Sequence, residues 1–129
     1  MSFNLFVERL LPMGCERKQR LTPEVMAAYR GPYPKRVDRQ PTAVFPRAIV
    51  KSGPYLTEVV QALDQIADKP VQIIWGKKDK AFRKRELERW KRIFPDARVR
   101  VLDDAGHFIQ EDAPEAIVEE IRAFMAPAA

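Results

Sequence analysis

The chain has 129 residues, 46% of them hydrophobic, and carries a formal net charge of +5. Its single cysteine, Cys15, excludes an internal disulfide framework, and no run of about 18 apolar residues is present to span a bilayer. Nothing at the N-terminus marks a secretory signal. These features predict one globular domain in a reducing compartment, which we take to be the cytoplasm, with no membrane partner.

The net charge is distributed unevenly along the chain. Residues 77–100 carry eleven Lys and Arg against four Asp and Glu, whereas residues 101–129 carry one Arg against seven acidic residues. We expect these two segments to be neighbours in the fold and to neutralise much of the apparent basicity. Apolar residues within the basic run recur at roughly helical spacing, which indicates a solvated basic helix with one buried face and disfavours a nucleic-acid surface. They are Phe82, Leu87, Trp90, Ile93 and Phe94.

Helices dominate the first half of the predicted structure. An apolar helix over residues 3–11 should end at Pro12 and Gly14. A second helix begins at Thr22, which can cap it, and should end at Gly31. Two prolines then predict an extended connector.

Two further helical segments follow, and we place the boundary between two structural portions near residue 53. The first segment covers residues 42–50, and Pro46 should limit its regularity. The second begins at Ser52 and has a clear amphipathic pattern, formed by Leu56, Val59, Val60, Leu63 and Ile66. Residues 1–52 would then be a helical portion, and residues 53–129 would belong to the sheet.

The second half predicts a β-α-β-α unit. A buried strand over residues 71–75, a helix over 82–94, a strand over 98–102 and a helix over 114–126 follow one another. A right-handed crossover would make the two strands parallel neighbours. The apolar stripe of the last helix should face the core, and it consists of Ile117, Ile121, Phe124 and Met125.

A sheet of two parallel strands leaves both of its edges and much apolar surface uncovered. We therefore expect self-association, exchange of elements between copies, or a requirement for further strands. The alternative is that the upstream helices collapse onto the β-α-β-α unit and shield it. We prefer self-association.

The only histidine, His107, lies between the second strand and the last helix. Gly106 permits a tight turn beneath it, and Asp112, Pro114 and Glu115 resemble a capping box at the helix start. An imidazole on a loop that leaves a strand suits a general base, because its ordinary pKa is near neutrality. A lone histidine is more often structural, so its catalytic role depends on a partner.

Asp79 is the candidate partner. It follows the first strand and a glycine turn, so both side chains would leave the carboxyl ends of adjacent parallel strands. A carboxylate in this position would fix the imidazole tautomer and stabilise the imidazolium. The alternative is that Asp79 only opens a turn or caps the next helix. Asp104 is close in sequence to His107, but its spacing is poor for reaching the ring.

Two motifs carry a family resemblance: Gly-x-x-Asp at 76–79 after a strand, and Asp-Ala-Gly-His-Phe at 104–108 after the next. Residues 75–82 and 104–115 resemble the last two catalytic motifs of α/β-hydrolases, most closely those of haloalkane dehalogenases. The likeness extends through Phe-Pro-Asp-Ala at 94–97 and the terminal helix, and residues 21–34 and 45–52 look like the end of that family's helical lid. The predicted fold is therefore α/β, a partial α/β-hydrolase fold with a lid remnant and two parallel strands.

The resemblance implies that Asp79 is the acid and His107 the base of a catalytic triad. The nucleophile elbow would lie before residue 1, and no Gly-x-Ser-x-Gly or Gly-x-Asp-x-Gly occurs in the sequence. Ser52 precedes Gly53 between two helices, which is not an elbow. A complete enzyme of this family needs roughly twice this length, so the chain reads as a C-terminal half that is inactive alone.

The parent activity implied by the resemblance is hydrolysis of a small haloalkane through a covalent intermediate. A serine nucleophile would instead give an esterase or another serine hydrolase, and a third alternative is a non-catalytic, self-associating module. We predict no cofactor and no metal site. The expected partners are a small hydrophobic substrate in the parent and either a second copy or a complementing N-terminal half, and nucleic acid is not expected.

Overall fold

The computed structural model describes residues 4–126, so the predicted start of the first helix at residue 3 lies outside them. The class is α/β, as predicted, with several helices and one sheet of two parallel strands. The α-helices are α1 (Leu11–Gly14), α2 (Pro23–Arg30), α3 (Gln40–Lys51), α4 (Gly53–Gln61), α5 (Lys84–Ile93), α6 (Ile109–Asp112) and α7 (Pro114–Met125). The strands are β1 (Gln72–Gly76) and β2 (Arg98–Leu102). A π-helical turn, Phe6–Leu10, precedes α1, and 3-10 turns cover Lys18–Arg20, Val37–Arg39 and Ala62–Ile66.

The β-α-β unit has the predicted parallel pairing. Gln72 lies opposite Arg98, and the register continues to Gly76 opposite Leu102, with α5 forming the crossover. β1 is one residue later than predicted, because Gly76 takes part in the pairing. The pairing of Gly76 with Leu102 places the chain that follows β1 directly beside the end of β2.

The helix starts show where sequence signals for local structure succeed and fail. The Thr22 hydroxyl accepts a hydrogen bond from the amide of Val25 at 3.4 Å, as expected of an N-cap. Pro12 does not end the first helical segment, which continues from the π-helical turn through α1 to Gly14. Likewise, α3 continues through Pro46 to Lys51 and is longer than predicted.

The predicted capping box at the start of α7 is wrong. Ala113 precedes the helix, and no side chain caps it. Glu115 pairs instead with Arg20 of the 3-10 turn. Asp112 ends the short helix α6, which the sequence analysis missed, and its fully buried carboxylate faces the upstream chain.

The main core cluster lies in the helical first half, beside the histidine loop. Val7, Leu11, Cys15 and Met26 are buried together, and Phe108 packs against them from the other half of the chain. The segment after β2 is therefore supported by the N-terminal helices as well as by the sheet.

Ion pairs join the basic and acidic segments as expected. Lys77 pairs with Asp103 at 2.7 Å, Lys78 pairs with Asp104 at 3.1 Å, and Glu120 forms ion pairs with both Arg98 and Arg100. Most of these side chains are substantially exposed, so screening by solvent leaves each pair only a small contribution to stability. Their effect is local neutralisation of charge.

Large apolar surfaces remain uncovered on the helices that the sequence shows to be amphipathic. No residue of α3 or α4 is buried, and Val50 at the end of α3 is 84% exposed. The predicted core stripe of α7 is wrong in part, because Ile121 and Met125 are exposed and only its other two members are partly buried. Within residues 4–126, no element covers these faces. None of the helices in that range is long and apolar enough to cross a membrane.

These faces lead us to predict that the isolated chain forms a dimer or larger assembly. Uncovered apolar surface of this extent favours association with a second copy, because association removes it from water. Light scattering across a concentration series should show a mass above that of one chain. Replacing Val60, on the exposed apolar side of α4, with lysine should shift the equilibrium toward the monomer.

The neighbouring variant Gln61→Lys is the matched control, since it adds the same charge at an exposed polar position. It should associate as the parent chain does. A parent chain that stays monomeric at high concentration would contradict the prediction and favour the alternative of helical shielding.

Candidate active site

The two strands deliver their following loops to one edge of the sheet. The amide of Lys77 donates to the Leu102 carbonyl, and the amide of Lys78 donates to the Ala105 carbonyl, both at 3.0 Å. These hydrogen bonds extend the contact between the two chain segments past the last paired residues of the strands. The loops carrying Asp79 and His107 are thereby held side by side.

Gly76 makes this close approach possible. A Cβ atom at this position would overlap the carbonyl oxygen of Gly106 and lie 2.8 Å from that of Ala105. Both obstacles are backbone atoms, which cannot move aside without displacing the histidine loop. The glycine that ends β1 therefore permits the juxtaposition of the two loops.

The structure brings Asp79 and His107 together, as the sequence predicted. The imidazole Nδ1 lies 3.0 Å from Oδ2 and 3.2 Å from Oδ1 of the Asp79 carboxylate. An ionised carboxylate only accepts hydrogen bonds, so this contact requires a proton on Nδ1. In the neutral ring, Nε2 then keeps a free lone pair.

Asp79 also performs the local role that was considered as an alternative. Its Oδ1 accepts hydrogen bonds from the amides of Ala81 at 2.7 Å and Phe82 at 2.9 Å. These hydrogen bonds hold the Asp79 carboxylate in the orientation in which it contacts the imidazole. The Asp79 side chain is only 9% exposed, whereas the His107 side chain is 33% exposed and remains accessible.

Two aromatic rings and one backbone bond hold the imidazole in place. The ring centroids of Phe82 and Phe108 lie 5.3 Å and 5.0 Å from that of His107, the second in an edge-on arrangement. The His107 amide donates to the Gly14 carbonyl at 2.8 Å. His107 is therefore anchored to the N-terminal helices as well as to Asp79.

A cavity of about 480 Å³ adjoins His107. Its lining is mostly apolar, with Leu10, Met13 and Phe108 among its walls. Three charged residues also line it, namely Glu16, Lys78 and Lys80. A second cavity of about 870 Å³ shares Leu10 and Phe45 with the first and extends along α3. An accessible imidazole beside an apolar cavity is suited to a small hydrophobic ligand.

Other polar side chains do not reach the imidazole in the same way. The Asp104 carboxylate pairs with Lys78, and the Ser52 hydroxyl donates to the Ala48 carbonyl at 2.6 Å between α3 and α4. Burial raises the pKa of the Cys15 thiol to about 11, and the carboxylates of Asp112 and Glu111 add to the shift. The thiol is thus protonated near neutral pH and is a poor nucleophile.

Asp112 is the polar residue near the site that sequence reasoning misassigned. Its carboxylate accepts hydrogen bonds from the amides of Glu16, Arg17 and Gly106. The only available signal was an acidic residue between apolar positions and a proline, which equally describes a helix cap. In residues 4–126, no group of three or more His, Cys, Asp or Glu side chains is arranged to hold a metal ion.

Comparison with known proteins places this geometry in a family. Haloalkane dehalogenase 2 from Mycobacterium tuberculosis (strain ATCC 25618 / H37Rv) is 41% identical over 92% of this chain and 41% of its own length. A cis-3-alkyl-4-alkyloxetan-2-one decarboxylase from Xanthomonas campestris is 36% identical over 96% of the chain and 42% of its own length. The crystal structure of haloalkane dehalogenase DbeA from Bradyrhizobium elkani superimposes with a TM-score of 0.80 at 31% identity, covering 94% of this chain and 43% of that one.

The chain thus spans about two fifths of the length of the relatives it matches. Residues 9–114 match the alpha/beta hydrolase fold family, a range that includes both Asp79 and His107. The chain belongs to the alpha/beta hydrolase fold family and is similar to its haloalkane dehalogenases.

Proposed function

We propose that this chain supplies the base and its orienting acid to a haloalkane dehalogenase-like hydrolase. His107 activates the water that releases product from a covalent intermediate, and Asp79 orients His107. The nucleophile comes from a complementing N-terminal half that carries the elbow and the earlier strands. The observation that carries the proposal is the bond between Nδ1 and the Asp79 carboxylate at 3.0 Å.

This geometry supports a specific proton path. With Nδ1 donating to Asp79, the free Nε2 takes a proton from water while the water oxygen bonds to the carbonyl carbon of the ester intermediate. Breakdown of the tetrahedral species breaks the bond between that carbon and the alkyl oxygen. The departing alkyl oxygen takes the proton back from Nε2 and leaves as an alcohol. The carboxyl group that remains on the N-terminal half loses its own proton to solvent, which regenerates the nucleophilic carboxylate.

The substrate class is argued from the walls of the cavity and from the relatives. Apolar side chains line most of the 480 Å³ space beside His107, which disfavours a charged substrate. The likeness to haloalkane dehalogenases suggests a small haloalkane, with halide as the other product. Donors that would stabilise the departing halide belong to the complementing half in this proposal.

The experiment combines the chain with an N-terminal half from a haloalkane dehalogenase relative. If the halves dock, the assembly should release halide from a small haloalkane. His107→Ala in this assembly should stop turnover and trap the alkylated N-terminal half, because only the second step needs the activated water. Mass spectrometry of the N-terminal half detects the added alkyl group.

The Asp104→Asn assembly is the control, since Asp104 pairs with Lys78 and not with the imidazole. It should turn over substrate and accumulate no adduct. The chain alone should remain at background, because a base and an acid without a nucleophile form no covalent intermediate. Multiple turnover by the His107→Ala assembly would contradict the proposed role.

A second candidate function follows from the decarboxylase relative. That protein is 36% identical over nearly the whole chain, so the same assembly is to be offered a cis-3-alkyl-4-alkyloxetan-2-one. Release of carbon dioxide without halide release from any haloalkane would favour this reaction over dehalogenation. Absence of both activities in a docked assembly would favour the non-catalytic, self-associating module.

A further inference from the structure

We infer that Asp112 is a positioning residue for His107, acting through the backbone of Gly106. This inference rests on the proposed function, because it assigns Asp112 to the same site. Asp112 does not touch the imidazole. Its hydrogen bonds connect the loop that carries His107 to the N-terminal segment that contacts this loop.

The Asp112 carboxylate is completely buried and fully engaged. Its Oδ1 accepts from the amides of Glu16 at 3.0 Å and Arg17 at 2.8 Å, and its Oδ2 accepts from the amide of Gly106 at 2.7 Å. Burying a charge without partners is costly, and three bonds from backbone amides offset this cost. Two of the donors lie 96 and 95 residues before Asp112 in the chain, and the third lies 6 residues before it.

The same two segments meet again on the other side of His107. Gly14 accepts a hydrogen bond from the His107 amide at 2.8 Å, and its carbonyl lies against Gly106, where a Cβ would overlap it. The histidine loop and residues 14–17 are thus linked by bonds in both directions. In this arrangement the Asp112 carboxylate only accepts hydrogen bonds, one from each of three backbone amides.

This arrangement requires a carboxylate and not merely a polar side chain of the same shape. An asparagine has one acceptor oxygen and one NH2 group in place of the two oxygens. If its oxygen serves Glu16 and Arg17, its NH2 faces the Gly106 amide, and two donors oppose each other. The residue before His107 then loses its anchor while the other links remain.

The test uses the fact that His107 is the only histidine in the chain. In the 15N-labelled full chain, the Nδ1 proton bonded to Asp79 should give one downfield NMR signal, assigned without ambiguity. In Asp112→Asn, with the far-UV circular dichroism of the parent retained, this signal should be lost to exchange as the ring leaves its position. A merely structural role in the helical half would leave the Nδ1 signal of the folded variant unchanged.

Asp104→Asn is the matched control, because it makes the same change at an exposed position and should keep the signal. A folded Asp112→Asn chain with the Nδ1 proton of the parent overturns the inference. If that variant does not fold, the parent chain decides by amide exchange. The amides of Glu16, Arg17 and Gly106 should then be protected together, and rapid exchange of Gly106 alone overturns the inference. Neither readout needs turnover, so both are independent of the fate of the proposed activity.

Discussion

Replacing Asp79 with asparagine is expected to lower kcat of the reconstituted assembly by about 10⁴-fold. This is the size of the loss when the orienting aspartate of a Ser-His-Asp triad becomes asparagine. The amide NH2 group would donate to Nδ1, so the ring would carry its proton on Nε2, where the lone pair is needed. Asparagine keeps the shape of the aspartate, and its oxygen can still accept from Ala81 and Phe82.

Initial rates across a range of haloalkane concentrations measure this effect. KM should change far less than kcat, because Asp79 is not one of the residues that line the cavity. The control is Asp103→Asn, which removes an exposed carboxylate that pairs with Lys77. A kcat for Asp79→Asn within tenfold of the parent would exclude the orienting role.

The second large effect concerns folding. Gly76→Ala is expected to reduce the free energy of unfolding by about 3 kcal/mol, the upper end of the usual cost of overpacking. The added Cβ would overlap the Gly106 carbonyl and crowd that of Ala105, and backbone atoms cannot rotate away. The end of β1 and the histidine loop would have to separate, so the Asp79–His107 bond should be lost with the stability.

Denaturant unfolding of the parent and variant measures the change at equal protein concentration, since association affects the midpoint. Gly53→Ala is the matched control. A Cβ at Gly53, in the first turn of α4, meets nothing within 4 Å, so this variant should stay within about 1 kcal/mol of the parent. Equal midpoints for Gly76→Ala and the parent would show that the two loops approach less closely than described.

The juxtaposition of Asp79 and His107 could be predicted from the sequence because both residues follow recognisable strands of one β-α-β unit. Gly76 ends the first strand shortly before Asp79, and Gly106 directly precedes His107 after the second strand. Both side chains are therefore placed at the carboxyl edge of a pair of parallel strands. The β-α-β topology then brings residues 79 and 107 within hydrogen-bonding distance. The family resemblance, which is carried by the same two motifs, implied the same two roles.

The features that were not predicted depend on contacts between residues far apart in the sequence. The bonds from Asp112 to Glu16 and Arg17 join residues far apart in sequence, and no local pattern distinguishes them from a helix cap. The prediction that residues of α7 such as Ile121 face the core was wrong for a related reason. Periodicity shows which face a helix can bury, but not whether any element of the chain lies against it.

The central claim is that Asp79 holds His107 with its proton on Nδ1 and its Nε2 lone pair free. Nitrogen-15 NMR of the single histidine measures this tautomer directly, at a pH where the ring is neutral. We predict that the parent chain shows a protonated Nδ1 and an unprotonated Nε2, and that Asp79→Asn reverses them. A parent ring that carries its proton on Nε2, with a spectrum unchanged in Asp79→Asn, would contradict the claim.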